Sequence, residues 1–419
     1  MLCCLLAAAL AAFVHGQTGV AARTRPEPVI GPFNSITSHE IAILLTDVLR
    51  NNPAGLEKFN HDPERRKAQL ADLRKLLAFA SQALKDGMAN DPTYAQELKN
   101  IRNELIATSY DSEINKAKPK RAVFGYVTDQ QVAAFWTNHE HEPEFKKFLD
   151  AKMAIARANN PAFDRDATAD EVDQARELFA KINTYVSEYE RKARAGTLPR
   201  PLVEKVNLQI RLQQGQFLAR IFSDKNAKRF SVSDEDIALY ISAHPEIDPE
   251  QKRAKAQSIL AKARAGDDFA RLANEFSDDP GNQGTDGNKQ GGLYKDVPIG
   301  TMVKPFETAA LALNPGEVAP ALVQSDFGFH IIKLERKGDT YDVRHILIST
   351  MVKDPDDSTA RPKPVGDYVQ AKIEDARQKK FTDDIVARNP VSAPADFTVP
   401  VAGEKTAIKR PVPRKRAGK

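Results

Sequence analysis

Two apolar, β-prone runs joined by a short polar turn constrain the fold more than any other part of this chain. They read FGFHIIKLER at 327–336 and YDVRHILIS at 341–349, and each contains one histidine, His330 and His345. Alternate residues of a strand share a face, so a loop of even length, either Gly338-Asp339 or Arg336–Asp339, places both histidines on one face. Directly opposed or diagonal side chains then lie within about 4.5–8 Å of each other. The sequence therefore predicts an antiparallel hairpin with neighbouring histidines.

Much of the preceding chain has the apolar spacing of amphipathic helices. Leu70, Leu73 and Leu77 recur at helical intervals, with Gly87 as the expected stop and Asp91-Pro92 as the next start. At 419 residues, 41% of them apolar, the chain is long enough for two or three domains with real cores. The pattern predicts an α+β protein in which residues 35–231 form a mainly helical region.

The first residues have the composition of a secretory signal. MLCCLLAAALAAFVHG at 1–16 is apolar and ends in small residues, with Val14 and Gly16 preceding a cleavage site at Gln17. It is shorter than the roughly 20 residues that a membrane-spanning helix needs. Cys3 and Cys4 both lie in this segment, so we expect an exported, cysteine-free mature protein without disulfides or a thiolate nucleophile. Residues 17–34, which contain several prolines, read as an extended linker.

The C-terminal residues 401–419 form a basic tail with two prolines and few apolar side chains, which predicts disorder. Two interpretations remain open for this tail: it solubilises the protein, or it contacts an anionic surface such as lipid or nucleic acid. The net charge of +4 is small for this length and does not indicate a specific nucleic-acid partner.

Between these regions, the composition changes from about Ala254. One helix is followed by a break at Gly266 and by a second amphipathic turn, FARLANEF. The glycine-rich stretch 281–292 lacks the Lys-Ser/Thr ending and the strand-to-helix setting of a phosphate-binding P-loop. A short helix is expected in TMVKPFETAALAL before Asn314-Pro315-Gly316, and a hairpin turning at Ser325–Gly328 is expected after it.

This stretch resembles the parvulin-type peptidyl-prolyl isomerases, in their secreted, SurA-like form with flanking helices. The resemblance rests on GDDFARLANEFSDDP, then GGL, then MVKPFETAALALNPGEVAPALVQSDFGFHIIKL, and it covers about 85 residues. It implies a small domain at 232–349, including its leading helix, with a four-stranded antiparallel sheet wrapped by helices. It also implies catalysis of cis/trans isomerisation at X-Pro bonds. Residues 350–400 would then form a C-terminal helix and an extended segment.

One departure from the family concerns strand order. A parvulin begins with a strand reading like R-H-I-L-I, whereas here EIDPEQKRAKAQSIL runs directly into the first helix. The missing strand follows the last one, as YDVRHILIS, which suggests a circular permutation. The alternative is that RHILIST and the following helix are the remnant of a second parvulin domain.

The resemblance also implies a set of site residues. His330 and His345 match the paired strand histidines, and Asp279 stands where some members have cysteine and others aspartate. Substrate contacts are expected from the proline pocket and its rim: Leu293, Met302, Phe306 and Phe327. GGLYKDV departs from the usual Gly-Gly-Asp-Leu-Gly run, which leaves the position of Leu293 open by one residue.

Each of these residues also has a purely structural interpretation. Met302 and Phe306, four apart on a helix, suit an ordinary core. Two buried histidines can fix strand register, and Asp279 before Pro280 can be a turn residue.

We therefore expect an exported prolyl isomerase that acts without a covalent step and holds unfolded or nascent X-Pro-containing clients against its helical region. The alternative is a chaperone or scaffold whose parvulin domain has lost catalysis. No cofactor and no metal are assigned, because the histidines lack the spacing of a recognised metal motif. No Arg/Lys pair follows HILIS, so selectivity for phosphorylated substrates is not indicated.

Overall fold

A computed structural model describes residues 30–49, 52–160, 162–284, 287–357 and 359–399. The expected signal peptide, residues 17–29 of the linker and the basic tail lie outside these residues. Contacts divide the chain into two compact units. Among the described residues, the first unit contains 30–227 together with 381–399, and the second is Lys228–Lys380.

The first unit is helical, as the leucine spacing predicts. Its helices are α1 (Ser38–Leu49), α2 (Pro53–Asn60), α3 (Pro63–Lys85), α4 (Pro92–Asn115), α5 (Asp129–Phe135), α6 (His141–Asn159), α7 (Ala169–Arg194) and α8 (Arg200–Asn226). Local chemistry sets their ends: Gly87 adopts a left-handed conformation after α3, and the Asp91 carboxylate caps α4 by accepting bonds from backbone amides. Buried leucines of α3 and α8 form one shared core.

The C-terminal residues of the second half form a helix followed by an extended stretch. Helix α13 (Val365–Arg388) crosses the boundary between the units, and residues 381–399 belong with the first unit. The reason is apolar burial, because Ile385, Phe397 and Val399 join the core formed by α2, α3 and α8.

The second unit is built around an antiparallel sheet with the order β1-β4-β3-β2. Its elements are α9 (Asp234–Ala243), α10 (Pro249–Arg264), α11 (Phe269–Phe276), β1 (Leu293–Pro298), α12 (Lys304–Leu311), β2 (Val323–Ser325), β3 (Gly328–Lys337) and β4 (Thr340–Ser349). A separate small ribbon pairs β5 (Met351–Val352) with β6 (Lys363–Pro364). The four-stranded sheet and its helices confirm the α+β class.

Strand β4 lies in the interior of the sheet, bonded to β3 on one side and to β1 on the other. The late segment 343–349 therefore completes the sheet from the C-terminal side, as the permuted arrangement predicts. Without it, β1 would have no partner strand among the described residues.

The hairpin between β3 and β4 keeps the predicted register by a different route. Its last pair, Lys337 with Tyr341, encloses three residues rather than two, and the register shifts by one between Leu334 and Arg336. This bulge adds one residue to β3 and restores the even offset. Both histidines consequently remain on one face.

The two faces of the sheet have different cores. Phe329, Ile331 and Ile346 point to the face covered by α10 and α11. Ile332, Leu334 and Val343 point to the other face, which packs against Phe306 of α12. The strand alternation places His330 and His345 on this second face. No helix in the described part of the chain is long and apolar enough to cross a bilayer.

Candidate functional site

The two histidines stand diagonally across the β3–β4 pair. His330 pairs with Leu347, and His345 pairs with Ile332, so each histidine is two residues from the partner of the other. Their ring centroids are 5.7 Å apart and the ring planes differ by 24°. The rings are buried, with exposures of 4% for His330 and 7% for His345. The predicted neighbouring histidines are thus present in the structure.

Asp279 reaches the same face from the turn after α11. Backbone bonding between Asp278 and Leu347 fixes this turn against β4, at an N···O distance of 2.8 Å. The Oδ2 atom of Asp279 lies 2.8 Å from His345 Nε2 and accepts a hydrogen bond of 2.7 Å from the Tyr294 hydroxyl. Its Oδ1 atom accepts a further bond from the Gly281 amide. Asp279 is thus both a turn residue, bonded to the Gly281 amide, and a neighbour of His345.

These bonds determine the charge of Asp279. Burial alone would raise the pKa of the carboxyl, but the hydrogen bonds from His345 and Tyr294 outweigh it and lower the pKa to about 2. The pKa of Tyr294 is raised by its own burial and by the adjacent carboxylate. At neutral pH the site consequently holds an ionised Asp279 and a protonated Tyr294 hydroxyl.

The hydrogen-bond partner of His330 is an uncharged hydroxyl. Its Nε2 atom lies 2.7 Å from the Ser325 hydroxyl on β2. Burial, followed by repulsion from His345, lowers the pKa of His330 to about 4. The Nδ1 atoms of His330 and His345 are buried and have no hydrogen-bond partner within the described residues. The pair is thus asymmetric, with one imidazole beside a carboxylate and the other beside a hydroxyl.

Phe306 forms the apolar floor beneath both histidines. Its ring makes edge contacts with His330 and His345 at centroid distances of 5.4 and 5.2 Å, and it is only 2% exposed. Met302 is half-buried against the same apolar cluster. Phe306 is therefore both a core residue and a neighbour of the histidines. Met302 packs against the same apolar cluster but precedes α12, so it is not on the helix with Phe306 as the spacing suggested.

Leu293 is not brought to this site. It pairs with Arg344, which places it on the face opposite the histidines, whereas Tyr294 pairs with Val343 on the histidine face. The Tyr294 ring lies 5.2 Å from the His345 ring. The sequence leaves the position of Leu293 open by one residue, and the structure places Tyr294 rather than Leu293 on the histidine face.

Phe327 lies at the turn between β2 and β3 and is 48% exposed. Its amide donates a hydrogen bond of 3.2 Å to the Ser325 hydroxyl, the same group that contacts His330. Phe327 is consequently positioned at the rim rather than in the buried network.

Sequence reasoning missed Tyr294 and Ser325. The signal for Tyr294 was available, since it is the second residue after Gly291-Gly292, as leucine is in the family run. Ser325 precedes His330 by five residues across a tight hairpin, a contact that the predicted turn at Ser325–Gly328 brings within reach. The described residues contain no cluster of three or more metal-ligating side chains.

Comparison with known proteins agrees with this geometry. Residues 216–338 match the model of the PPIC-type PPIASE domain family. The match ends at the β3–β4 turn, so β4 lies outside it although β4 is an interior strand of the sheet.

Curated relatives extend the similarity into the helical region. The chain is 30% identical to the chaperone SurA of Chromohalobacter salexigens, over 42% of this chain and 41% of that protein. It is 29% identical to the chaperone SurA of Ralstonia nicotianae, over 59% of this chain and 51% of that protein. It is 35% identical to the foldase protein PrsA 4 of Bacillus cereus, over 28% of this chain and 40% of that protein. The chain thus spans about half or less of the length of these relatives. It carries a domain of the PPIC-type, or parvulin, family of peptidyl-prolyl isomerases, as its motifs predicted.

Proposed function

We propose that this protein is a peptidyl-prolyl cis/trans isomerase that assists the folding of exported proteins and holds unfolded clients on its helical unit. The observation that carries the proposal is the buried His330–His345 pair above Phe306, in a domain of the isomerase family. The named relatives, a chaperone and a foldase, support the folding role.

The reaction breaks no bond. Rotation about an amide has a barrier of about 18–20 kcal/mol, and uncatalysed X-Pro isomerisation takes tens to hundreds of seconds. An enzyme needs only to favour the twisted amide, which has lost its resonance. A water-poor site with fixed dipoles does this without reorganising solvent.

The proposed roles follow from the environment of each side chain. Phe306 and Met302 form an apolar surface for the proline ring, and Tyr294 replaces Leu293 as the residue of β1 on that face. His330 and His345 present imidazoles to the twisted amide, and Asp279 positions His345 through its Nε2 atom. Because the described residues contain no cysteine beside the histidines, the proposed mechanism has no covalent step.

A second candidate function is a scaffold that binds polypeptides with its parvulin domain but does not isomerise them. The specific observation in its favour is Tyr294, whose ring and hydroxyl both contact the His345–Asp279 pair. Tyr294 therefore takes up space on the histidine face of the sheet, where a proline ring would bind.

The test is a protease-coupled isomerisation assay with short X-Pro peptides, performed on the full chain and on Phe306→Ala. Activity in the full chain that is lost in the variant supports the isomerase. Activity absent from both supports the scaffold. Suppression of client aggregation is measured on the same two proteins, and the proposal expects Phe306→Ala to retain it because the helical unit is unchanged. If the unmodified chain leaves the rate of client aggregation unchanged, the holding role is wrong.

The proposal also includes the cellular location. Residues 1–16 would direct export to the periplasm, and the lysines and arginines of 401–419 would contact anionic lipid. Their composition alone supports these roles. N-terminal sequencing of the exported protein tests the first, and vesicle sedimentation with and without anionic lipid tests the second.

A further inference from the structure

The C-terminal segment, defined here as residues 389–399, lies extended on the helical unit and has no helix or strand of its own. It begins directly after α13 and reads NPVSAPADFTV. It is held by main-chain hydrogen bonds, by one ion pair, by a hydrogen bond from the Asn389 side chain to Gln82, and by two apolar anchors, Phe397 and Val399. The way in which these contacts are made is the basis of the inference.

Five hydrogen bonds join the rest of the helical unit to main-chain N–H and C=O groups of the segment. The Ile36 amide donates to the Ser392 carbonyl, and the Ser392 amide donates to the Asn34 carbonyl, both at 2.8 Å. The Asn60 side chain donates to the Val399 carbonyl at 2.9 Å and accepts from the Val399 amide at 3.0 Å. Arg74 donates to the Pro394 carbonyl at 3.2 Å. Any extended peptide has the same main-chain groups. Proteins that recognise extended peptides commonly gain affinity from main-chain hydrogen bonds and specificity from side-chain pockets.

Two adjacent side chains provide the selective contacts. Asp396 forms a two-pronged ion pair with Arg66, in which both N···O distances are 2.8 Å. Phe397 is 5% exposed, and its ring centroid lies 5.8 Å from that of Phe59. Arg66 is itself only 6% exposed, so the groove keeps a buried cation that a carboxylate neutralises. The groove therefore fits an acidic residue followed by an aromatic one.

The segment also has features that allow it to leave. The Asp396 side chain is 57% exposed, and Thr398 is exposed as well. Asn389, Phe397 and Val399 are its buried residues, and the segment has no regular secondary structure. Segments of this kind open locally at a lower free energy than core helices. Its departure would uncover Phe59 and the surrounding apolar core surface.

We propose that the groove of α2, α3 and residues 34–36 is a binding site for extended client peptides, and that the C-terminal segment occupies it as an intramolecular competitor. The preferred client segments carry an acidic residue directly before an aromatic one. This inference rests on the proposed holding role and assigns that role a site. A tethered competitor is present at a high effective concentration, so it lowers the apparent affinity for any free peptide.

The test uses the full chain and a fluorescein-labelled peptide with the sequence of residues 388–400, RNPVSAPADFTVP. Fluorescence anisotropy gives its affinity for the unmodified chain, for Asp396→Asn/Phe397→Ala, and for the matched control Thr398→Ala, whose side chain is exposed on the same segment. We expect the double variant to bind the peptide at least about tenfold more tightly, since more of its grooves are free. Thr398→Ala should bind like the unmodified chain, and a scrambled peptide should show no gain.

A second arm links the groove to clients. A reduced, carboxymethylated and permanently unfolded protein should displace the labelled peptide from the double variant. Equal peptide affinities in the unmodified chain and the double variant would overturn the proposal, and so would failure of the unfolded protein to compete. Should the double variant lose its helical circular dichroism, Asp396→Asn alone gives the same comparison at a largely exposed side chain, with a smaller expected gain.

The outcome remains separable from that of the proposed function. Short-peptide isomerisation should be the same in all three proteins, because the substitutions lie outside the isomerase unit. Loss of aggregation suppression in the unmodified chain would count against the holding role. Equal peptide affinities would count against the groove alone.

Discussion

His330 and His345 lie two residues out of direct register on adjacent antiparallel strands, and this diagonal offset brings their rings to 5.7 Å at an angle of 24°. Their surroundings then separate them chemically. His345 contacts the ionised Asp279, whereas His330 contacts the Ser325 hydroxyl. The two histidines therefore differ in their hydrogen-bond partners, and the low pKa of His330 keeps its imidazole uncharged at neutral pH.

The first prediction concerns the protonation of His330. Its pKa of about 4 means that the imidazole stays neutral until the pH falls well below its ordinary value of 6.5. Because the unfolded chain binds this proton first, the contribution of His330 to stability is fully present above pH 6.5 and is lost as the pH falls toward 4. The shift corresponds to a loss on the order of 3 kcal/mol. NMR titration of ring-labelled histidines, assigned with His330→Gln, should show a midpoint below about pH 5. A midpoint near the ordinary value would contradict the buried, neutral environment.

The second prediction concerns the carboxylate of Asp279. Asp279→Asn keeps the size of the side chain but removes the negative charge of the carboxylate to which His345 and Tyr294 are hydrogen-bonded. We expect kcat/KM for a short X-Pro peptide to fall by about 10- to 150-fold, since a charge-assisted hydrogen bond contributes roughly 1.5–3 kcal/mol. Asp326→Asn is the control, because Asp326 is exposed in the nearby β2–β3 turn. If both variants retain full activity, Asp279 has no positioning role.

The third prediction separates the site from the core. Phe306→Ala and Phe329→Ala each remove a buried phenyl ring, but only Phe306 is on the histidine face. Each substitution should lower the free energy of unfolding by about 3–5 kcal/mol. Under conditions where both variants are folded, isomerase activity should fall sharply only in Phe306→Ala. Similar losses of activity per folded molecule in the two variants would show that Phe306 acts through stability alone.

The fourth prediction concerns the close contact between β4 and the Gly291-Gly292 turn. Gly292 has a φ of +69°, and a Cβ atom placed there would lie 2.2 Å from the His345 carbonyl oxygen. Gly300 has a φ of +93° with open space around it. Both alanine substitutions incur the cost of a positive φ, but only Gly292→Ala also displaces the backbone of β4.

We therefore expect Gly292→Ala to lose roughly 2 kcal/mol or more beyond Gly300→Ala in urea unfolding. It should also lose isomerase activity, because His345 moves with the strand. Equal stabilities in the two variants would mean that β4 is not held tightly at this point.

Part of the site could be read from the sequence because it depends on local rules. The β-prone runs with one histidine each predict a hairpin, and period-two alternation then fixes which residues share a face. Helix limits at Gly87 and Asp91 follow from backbone preferences and capping, which are also local. The resemblance assigned Phe306 to the proline pocket, and the structure places its ring against both histidines.

Other features of the site depended on contacts between residues far apart in the sequence, which local rules do not specify. The choice between Leu293 and Tyr294 was decided by the register of β1 against β4, and a one-residue slip exchanges the two faces of a strand. The bulge between Leu334 and Arg336 compensated for an odd turn that the sequence does not specify. The pKa values of His330 and Asp279 arise from burial and partners that only the folded chain supplies.

By itself, the sequence determined the kinds of element, their approximate limits and the chemical character of the isomerase domain, because propensity, capping and alternation act over a few residues. Only the tertiary structure decided that Tyr294 rather than Leu293 lies on the histidine face, and that residues 389–399 lie on helices more than three hundred positions away. Such pairings depend on which apolar surfaces bury one another and which main-chain groups form hydrogen bonds in the folded chain. Sequence distance carries no information about that.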